Sequence, residues 1–599
     1  MSAAATSPID EYRRRLADRQ AAAAHDERLH IRLGNARLAT LAAGGVLLWL
    51  AFGIHVVGAA WLLAPLLVFA VLVVWHDQVL RARTRMQRAS AFYELGIARL
   101  TDAWAGTGEP GLRFLITDHP YAADLDLFGR GSLFELLTTA RIRAGEEMLA
   151  RWLLAPASAC EITARQTAIR ELQPLLDLRE DLALLGDEIG AGGHPDLLTQ
   201  WGAAPQIMAA RWPPVVAALL AALATVTFVG WAFGDAGPVP FALVVLAEVL
   251  FSLAVLRPVR AILSGVEAPA RDLALVAGVF ARFEREAFQA PRLRALVEGF
   301  KTAGVPPSRR IAQLQRLIDL LNSRQNQLFA PLAAFLLWGA QIGFAIERWR
   351  RLSGPKLGAW LEGIGELEAL CSLAGYAYEH PADPFPLLTD GEGACFEGDG
   401  VAHPLIPEAR AVRNTVHLGG PTRMLLVSGS NMSGKSTLLR SVGANAVLAL
   451  AGAPVRAERL RISSLAIGAT LRVQDSLQAG QSRFYAEITR VRAIVSLTAG
   501  ELPVLFLLDE LLSGTNSHDR EHGAEAIVRG LLDRGAIGLV TTHDLALSAI
   551  ADRLAPRAQN VHFADVLEAG TLIFDYRMRP GVVRTSNALA LMRAVGLDV

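Results

Sequence analysis

Cysteine is scarce in this chain, and neither sign of charge dominates it. The three cysteines among 599 residues are Cys160, Cys371 and Cys395, and their wide spacing provides neither a disulfide framework nor a metal-binding motif. We therefore expect packing residues in a reducing compartment. Lysine plus arginine and aspartate plus glutamate each number 58, so the composition gives no global indication of nucleic-acid binding, although a local basic patch is compatible with it.

Apolar residues, in contrast, are in excess. The hydrophobic content is 52% and the mean hydropathy is +0.32, which are high values for a fully soluble protein. Two apolar runs, residues 38–54 and 57–75, are separated only by a turn around His55, and a second pair covers residues 213–233 and 239–256. The runs are long enough to span a membrane, so the sequence predicts two transmembrane helical hairpins. Buried core helices of a soluble protein are the alternative.

Basic residues beside these runs predict their orientation, because both connecting turns lack lysine and arginine. The arginines that flank the opposite ends of the hairpins are Arg13, Arg14, Arg15, Arg19, Arg28, Arg32, Arg37, Arg81, Arg83, Arg85, Arg88, Arg211, Arg257 and Arg260. By the positive-inside rule, the large soluble parts face the cytoplasm and the protein is a multi-pass protein of the inner (cytoplasmic) membrane. A signal peptide is not expected, because a mostly polar segment precedes the first apolar run.

Apolar runs and amphipathic helical patterns divide the chain into successive predicted segments. They are a cytoplasmic N-terminal extension (1–37), a transmembrane hairpin (38–76), a helical linker (77–118), the first part of a helical core (119–212), a second transmembrane hairpin (213–256), the second part of the core with lever helices (257–365) and a C-terminal ATPase domain (366–599). Residues 328–346 are apolar but contain Gln341, so we predict a buried or membrane-surface helix there rather than a fifth span.

The most informative motif is a glycine-rich loop between an apolar strand and a helix. Gly429 is followed after four residues by Gly434, Lys435 and Ser436. This spacing turns backbone N–H groups towards a polyphosphate, gives the outer phosphates a lysine ammonium, and offers the serine hydroxyl to Mg²⁺. The loop, together with Thr437 after it, therefore predicts a nucleotide site that takes ATP and Mg²⁺ as cofactors.

Two later strands end in side chains that suit phosphoryl transfer. We expect Asp509 to hold Mg²⁺ through water and Glu510 to polarise the attacking water. Another apolar strand ends at His543, which is placed to sense the γ-phosphate or to hold the nucleophilic water. Glu510, His543 and Lys435 are thus the predicted catalytic residues. Strands that alternate with helices predict an α/β domain with a largely parallel sheet.

Together these motifs resemble those of the MutS family of mismatch-repair ATPases. The similar segments are residues 429–437, 475–487, 509–517 and 541–543. The resemblance implies that Asn431 lies against the phosphates and that Ser482 reaches across a dimer interface to the γ-phosphate of the partner's nucleotide. It also implies a homodimer through the ATPase domains, or a heterodimer with a relative.

A weaker resemblance extends upstream to about residue 120 and places the second hairpin inside the family's helical core. The implied fold is an α-helical core with transmembrane helical hairpins plus a C-terminal α/β P-loop (ABC-type) ATPase domain. Phe92, Tyr93 and Glu94 mimic the tripeptide with which the family reads mismatched bases, but they follow a membrane helix in a helical context. We interpret this match as coincidence and expect a membrane-anchored variant that lacks the mismatch-reading domain.

Three functions are compatible with the sequence. The first is a membrane-anchored ATPase with a composite dimer site, coupled to binding of mismatched or branched DNA in repair or recombination. The second is an ATP-driven switch that acts on membrane or protein partners without DNA. The third is an ABC-type transporter, which is disfavoured because the sequence Leu-Ser-Gly at residues 512–514 follows the acidic strand instead of preceding it.

Overall fold

The computed structural model describes residues 7–190, 195–208, 210, 212–325, 329–389, 391, 393–430, 433–471, 483–512, 517–544, 547–568 and 571–583. The chain forms two compact units. The first comprises Met1–Thr138, Trp152–Gln166 and Leu373–Val599, and the second comprises Thr139–Arg151 and Thr167–Ser372. One apolar hairpin and the C-terminal α/β domain belong to the first unit, and the other hairpin belongs to the second.

Helices dominate the chain before the α/β domain. In chain order they are α1 (Pro8–Phe52), α2 (Leu63–Leu100), α3 (Leu133–Leu137), α4 (Arg143–Leu154), α5 (Ala159–Leu172), α6 (Leu176–Gly190), α7 (Pro195–Ala203), α8 (Trp212–Phe233), α9 (Pro238–Ser264), α10 (Glu267–Phe283), α11 (Pro291–Gly299), α12 (Pro307–Asn322), α13 (Ala330–Phe335), α14 (Trp338–Ser353) and α15 (Leu357–Glu379). The C-terminal part adds α16 (Lys435–Ala451), α17 (Arg483–Leu497), α18 (Ser517–Asp533) and α19 (Ser548–Arg553).

The strands all lie in the C-terminal part of the described chain. They are β1 (Leu387–Thr389), β2 (Phe396–Val401), β3 (Asn414–Leu418), β4 (Met424–Ser428), β5 (Arg459–Ser463), β6 (Ala466–Thr470), β7 (Val504–Leu508), β8 (Ile537–Thr542), β9 (Ala558–Glu568) and β10 (Thr571–Pro580). This arrangement confirms the predicted helical N-terminal region and mixed α/β C-terminal domain.

The helices of the first hairpin, α1 and α2, are longer than their apolar runs. They contain 45 and 38 residues, and outside the apolar runs they continue side by side as a polar stalk, residues 8–37 and 76–100. The predicted helical linker, residues 77–118, is helical only as far as Leu100, apart from one short 3₁₀ turn. That prediction is wrong beyond Leu100, because the glycines and proline at residues 106–111 favour turns over helix.

The aromatic tripeptide that mimics a mismatch reader lies in the stalk. Phe92 and Tyr93 are 8% and 0% exposed, and the Tyr93 ring centroid lies 5.7 Å from that of Tyr12 on α1. These rings therefore pack the two stalk helices together. Their burial supports the interpretation of the sequence match as coincidence.

The apolar parts of both hairpins are largely exposed. Among the described residues, four helices are long and apolar enough to cross a membrane: Pro8–Phe52, Ala59–Leu100, Trp212–Phe233 and Pro238–Ala274. In the most apolar window of each, only 6%, 6%, 17% and 22% of the residues are buried. Core helices of a soluble protein would bury these side chains, so the structure argues against that alternative. Arg211, expected beside the second hairpin, lies outside the described residues.

The apolar stretch at residues 328–346 forms two helices instead of the single helix that we predicted. α13 and α14 are separated at Leu337, whose backbone is left-handed with φ 49°. A left-handed residue cannot continue a right-handed helix, and no glycine signals this break in the sequence. The stretch is buried in part, as expected, since Ile342 and Ile346 are 7% and 1% exposed. Leu328 lies outside the described residues.

A six-stranded sheet positions the nucleotide-binding motifs. Its strand order is β10-β9-β4-β8-β7-β6, in which only the β9–β10 pair is antiparallel. The strands β4, β7 and β8 are entirely buried, as expected of central parallel strands covered on both faces. Because their carboxyl ends lie at the same edge, the glycine-rich loop, Asp509 and His543 meet there. A smaller sheet, β1-β5-β2-β3, was not predicted.

Candidate nucleotide-binding and catalytic site

The glycine-rich loop leads from β4 directly into α16. Gly434, with φ 102°, occupies the N-cap position, and Lys435 is the first helical residue. The Lys435 ammonium donates hydrogen bonds to the carbonyl oxygens of Gly429 and Ser430, at 2.9 and 2.8 Å. Burial lowers the pKa of Lys435, and the carboxylates of Glu510 and Asp509 partly oppose this shift. The ammonium, which contacts these two carbonyl oxygens, thus lies at the N-terminus of a helix, where anions are stabilised.

Ser436 and Asp509 meet across the sheet edge. The Ser436 hydroxyl donates to Asp509 Oδ2 at 2.6 Å, and the Thr541 hydroxyl donates to Asp509 Oδ1. Thr541 also accepts a hydrogen bond from the backbone N–H of Glu510 at 2.9 Å. A hydroxyl and a carboxylate at this distance are the oxygen donors that Mg²⁺ prefers when phosphates and water complete its coordination.

Thr541 has no role assigned from the sequence, although it holds the carboxylate in place. Its position is apparent only once β8 is known to lie beside β7. The described residues contain no group of three or more His, Cys, Asp or Glu side chains that could hold a metal ion.

Glu510 and His543 form a pair at the same edge. His543 Nδ1 lies 3.2 Å from Glu510 Oε1, and the side chains are 49% and 32% exposed for His543 and Glu510 respectively. Glu510 has a left-handed backbone with φ 50°, a strained conformation for a residue with a side chain. Such strain is typical of functional positions, and here it accompanies a carboxylate that faces the nucleotide cavity.

Most of the predicted site residues line a single cavity of about 640 Å³. They are Gly434, Lys435, Ser436, Thr437, Asp509 and Glu510. The volume lies within the range of small-ligand pockets. The structure thus brings these predicted site residues together in one cavity. Asn431 and Ser482, predicted at the phosphates and at the dimer interface, lie outside the described residues.

The same cavity is also lined by residues that the sequence did not indicate. His403, Ile406, Phe563 and Tyr576 line it. Burial lowers the pKa of His403 to about 4, so its imidazole is neutral near pH 7. The backbone N–H of Leu405 donates to His403 Nδ1 at 3.2 Å, which leaves Nε2 as the protonated nitrogen. Apolar and aromatic side chains of this kind suit contact with a nucleotide base.

Tyr576 reaches the cavity because the β9–β10 pairing is irregular between Phe574 and Met578. Tyr576 has φ 53°, and the Asn414 side chain donates to its carbonyl oxygen at 3.0 Å while accepting from Met578 N–H at 2.7 Å. A Cβ on Gly434 would lie only 3.0 Å from the Tyr576 ring. The bulge thus brings an aromatic ring against the glycine-rich loop.

We expect Tyr576→Ala to weaken ATP binding while changing the maximal turnover little. Loss of one aromatic contact with a base costs about 1–3 kcal/mol, which corresponds to a roughly 5- to 150-fold rise in Kd. The measurement is equilibrium titration with a fluorescent ATP analogue. Phe574→Ala is the matched control, since Phe574 lies in the same strand but does not line the cavity. Equal affinities for the two variants would contradict the assignment.

The buried parallel sheet, the glycine-rich loop and the acidic strand end together define a P-loop nucleoside-triphosphatase domain. Residues 425–598 match the family model of MutS domain V, the ATPase domain of that family. The resemblance seen in the sequence is confirmed for the C-terminal part of the chain, which is similar to the ATPase domain of the MutS family.

Known relatives match the same part of the chain. The DNA mismatch repair protein MutS of Natronomonas pharaonis is 32% identical over 238 residues, which are 39% of this chain and 27% of that protein. Endonuclease MutS2 of Thermus thermophilus is 34% identical over 238 residues, which are 40% of this chain and 30% of that protein. The chain thus spans less than a third of the length of the relatives it matches.

Proposed function

We propose that this chain is a membrane-anchored, MutS-like ATPase that converts ATP and water to ADP and phosphate. The observation that carries this proposal is the convergence of Lys435, Ser436, Asp509 and Glu510 in the lining of one nucleotide-sized cavity. MutS-family proteins are ATPases that use Mg²⁺. In phosphoryl transfer the protein contributes mainly positioning and charge neutralisation, and these four side chains are of the types that provide both.

Each residue has a distinct proposed role. Lys435 and the N–H groups of Gly429, Gly434 and Thr437 hold the phosphates, while Ser436 and Asp509 hold Mg²⁺, which neutralises developing charge when bound. Glu510 accepts a proton from the attacking water, and His543 orients the Glu510 carboxylate. Asn431 and Ser482 complete the site, the latter from the second copy in a homodimer. The dimer is supported by the resemblance to MutS, whose members act as dimers.

The proposed location is the inner membrane, with the two hairpins spanning it and the soluble domains facing the cytoplasm. The exposed apolar helices and the arginines at their ends support it. We expect alkaline carbonate to leave the protein in the membrane pellet, because spanning helices resist extraction. Release into the supernatant would contradict membrane integration without affecting the ATPase proposal.

A buried cluster connects the first hairpin to the end of α15 within the first unit. Arg99 donates to both carboxylate oxygens of Glu379, at 2.7 and 2.6 Å, and the Tyr12 hydroxyl donates to the same carboxylate at 3.2 Å. The Arg99 and Glu379 side chains are 11% and 1% exposed. α15 leads into the ATPase domain, so this cluster supports a switch that relates nucleotide state to the membrane hairpin.

DNA coupling is the second candidate, and the names of the relatives favour it. The decisive experiment is ATP hydrolysis by the detergent-solubilised protein with and without duplex, mismatched and branched DNA at low salt, where phosphate contacts are strongest. Stimulation by one DNA form would establish a membrane-tethered DNA switch. A hydrolysis rate that is the same with and without each DNA would support a switch acting on membrane or protein partners. Absence of hydrolysis under all conditions would contradict the ATPase proposal itself.

A further inference from the structure

α13 and α14 form a re-entrant segment that packs into the second hairpin. The Phe335 ring lies 5.9 Å from Phe228 on α8 and 6.2 Å from Phe241 on α9, measured between centroids. Phe228 and Phe241 both lie near the turn that joins these two helices. At Gly343 on α14, in contrast, a Cβ would lie 3.3 Å from Val259, near the opposite end of α9. The chain therefore extends into the hairpin towards the turn between α8 and α9, reverses direction at Leu337 and runs back.

Glu248 lies on α9 beside this segment, and among the described residues it has no charge partner. It is 5% exposed, and its buried Oε1 atom has no hydrogen-bond partner in the described part of the chain. The nearest charged residue along α9 is Arg257, about 13 Å away at 1.5 Å per residue. α8 and α13 carry no ionisable side chain. An unpaired carboxyl group inside a membrane-spanning helix is costly and therefore marks a functional position.

The Glu248 carboxyl group lines a cavity of about 380 Å³ whose other walls are almost entirely apolar. Val245, Val249 and Leu253 contribute from α9, and Phe335 contributes from the re-entrant segment. Ser252, one turn after Glu248, supplies the remaining polar side chain. Such walls favour a ligand with a large apolar surface.

A second cavity of about 630 Å³ shares Ser252, Leu256 and Leu337 with the first one. It extends along α9 to Arg260, Glu267 and Arg324, at the end of the hairpin that we place at the cytoplasmic interface. Because they share these walls, the two cavities lie side by side along α9 between that interface and the Glu248 carboxyl group, and we call them together the groove. The charged residues at the outer end carry both signs and lie away from the apolar cavity.

The groups that line the cavity at Glu248 favour some cations over others. A metal ion needs about six oxygen ligands or retained water, and one carboxyl group with one hydroxyl among apolar walls provides too few. An organic cation with apolar substituents requires little hydration and contacts such walls favourably. We propose that the groove binds lipophilic organic cations of the quaternary phosphonium or ammonium class, with the Glu248 carboxylate as their counter-ion. The proposal rests on the membrane placement of the second hairpin but not on ATP hydrolysis.

The test is equilibrium binding of radiolabelled tetraphenylphosphonium to the full-length protein in lipid nanodiscs. We expect saturable binding by the wild type and at least a 10-fold loss of affinity in Glu248→Gln, which keeps the side-chain shape but removes the charge. Glu298→Gln removes an exposed carboxylate outside the groove and should bind as the wild type does. Glu248→Asp, which retains the charge, should recover part of the affinity.

Absence of saturable binding by the wild type, or equal binding by Glu248→Gln, would overturn the proposal. Monodisperse size-exclusion profiles for all variants show whether the Glu248→Gln protein is folded, and the Glu248→Asp variant tests the charge independently. Carbonate extraction separates the two possible failures. A protein that stays in the membrane without binding the probe refutes the cation site alone, whereas a protein that is extracted refutes the membrane placement.

Discussion

Glu510→Gln is expected to lower the rate of ATP hydrolysis by roughly 10²–10⁴-fold, the usual contribution of a positioned general base. The substitution keeps the shape of the side chain and a possible hydrogen bond to His543, which lies 3.2 Å away. It removes the charge that accepts a proton from water. ATP binding should persist, because Lys435, Ser436 and Asp509 are unchanged. Phosphate release and binding of a fluorescent ATP analogue measure the two effects separately.

The matched control for this prediction is Glu501→Gln, since Glu501 is an exposed carboxylate outside the cavity lining. This variant should hydrolyse ATP at the wild-type rate. Comparable hydrolysis by Glu510→Gln and Glu501→Gln would show that Glu510 is not the base. Loss of both binding and hydrolysis in Glu510→Gln would instead indicate a structural role for this strained residue.

Glu379→Ala is expected to destabilise the first unit by about 3–5 kcal/mol, the typical cost of removing one partner from a buried ion pair. The Arg99 guanidinium would lose two charge-assisted hydrogen bonds and remain mostly buried, and the Tyr12 hydroxyl would lose its acceptor. Chemical denaturation of the detergent-solubilised protein, followed by tryptophan fluorescence, measures the change in the free energy of unfolding.

A double-mutant cycle with Arg99→Ala separates the pair from the rest of the fold. The double variant should be little less stable than either single variant, because removal of both partners leaves no buried charge unpaired. Glu147→Ala, which breaks an exposed pair with Arg143, should change stability by less than about 1 kcal/mol. A similarly small effect of Glu379→Ala would contradict the role of this cluster as a fixed link to the stalk.

The polar residues of the nucleotide site were predictable because the sequence patterns that indicate them are local. Spacing alone identifies Gly434, Lys435 and Ser436, and an apolar run that ends in Asp509 and Glu510 identifies a buried strand with its functional end. Parallel strands then require these groups to meet at one edge, as the register of β4, β7 and β8 shows. No long-range information is needed for that step.

Other structural features were not predictable from the sequence because they depend on contacts between residues far apart in the chain. Tyr576 lines the cavity only through a bulge that Asn414 stabilises across more than 160 residues of sequence. Thr541 reaches Asp509 only because β8 pairs with β7. The helix break at Leu337 is likewise not indicated by the sequence, since leucine has no preference for a left-handed backbone. Local sequence patterns thus indicate the phosphate-loop and acidic residues, whereas the remaining residues of the site are identified only from the tertiary structure.

The central claim, that this chain hydrolyses ATP at the site around Lys435, is tested most directly by turnover of the purified wild-type protein with Mg²⁺ and with EDTA, beside Lys435→Ala. We predict turnover that requires Mg²⁺ and is lost in Lys435→Ala, because this ammonium lies at the centre of the phosphate loop. Turnover that persists in Lys435→Ala, or that continues unchanged when EDTA removes Mg²⁺, would contradict the assignment of the site.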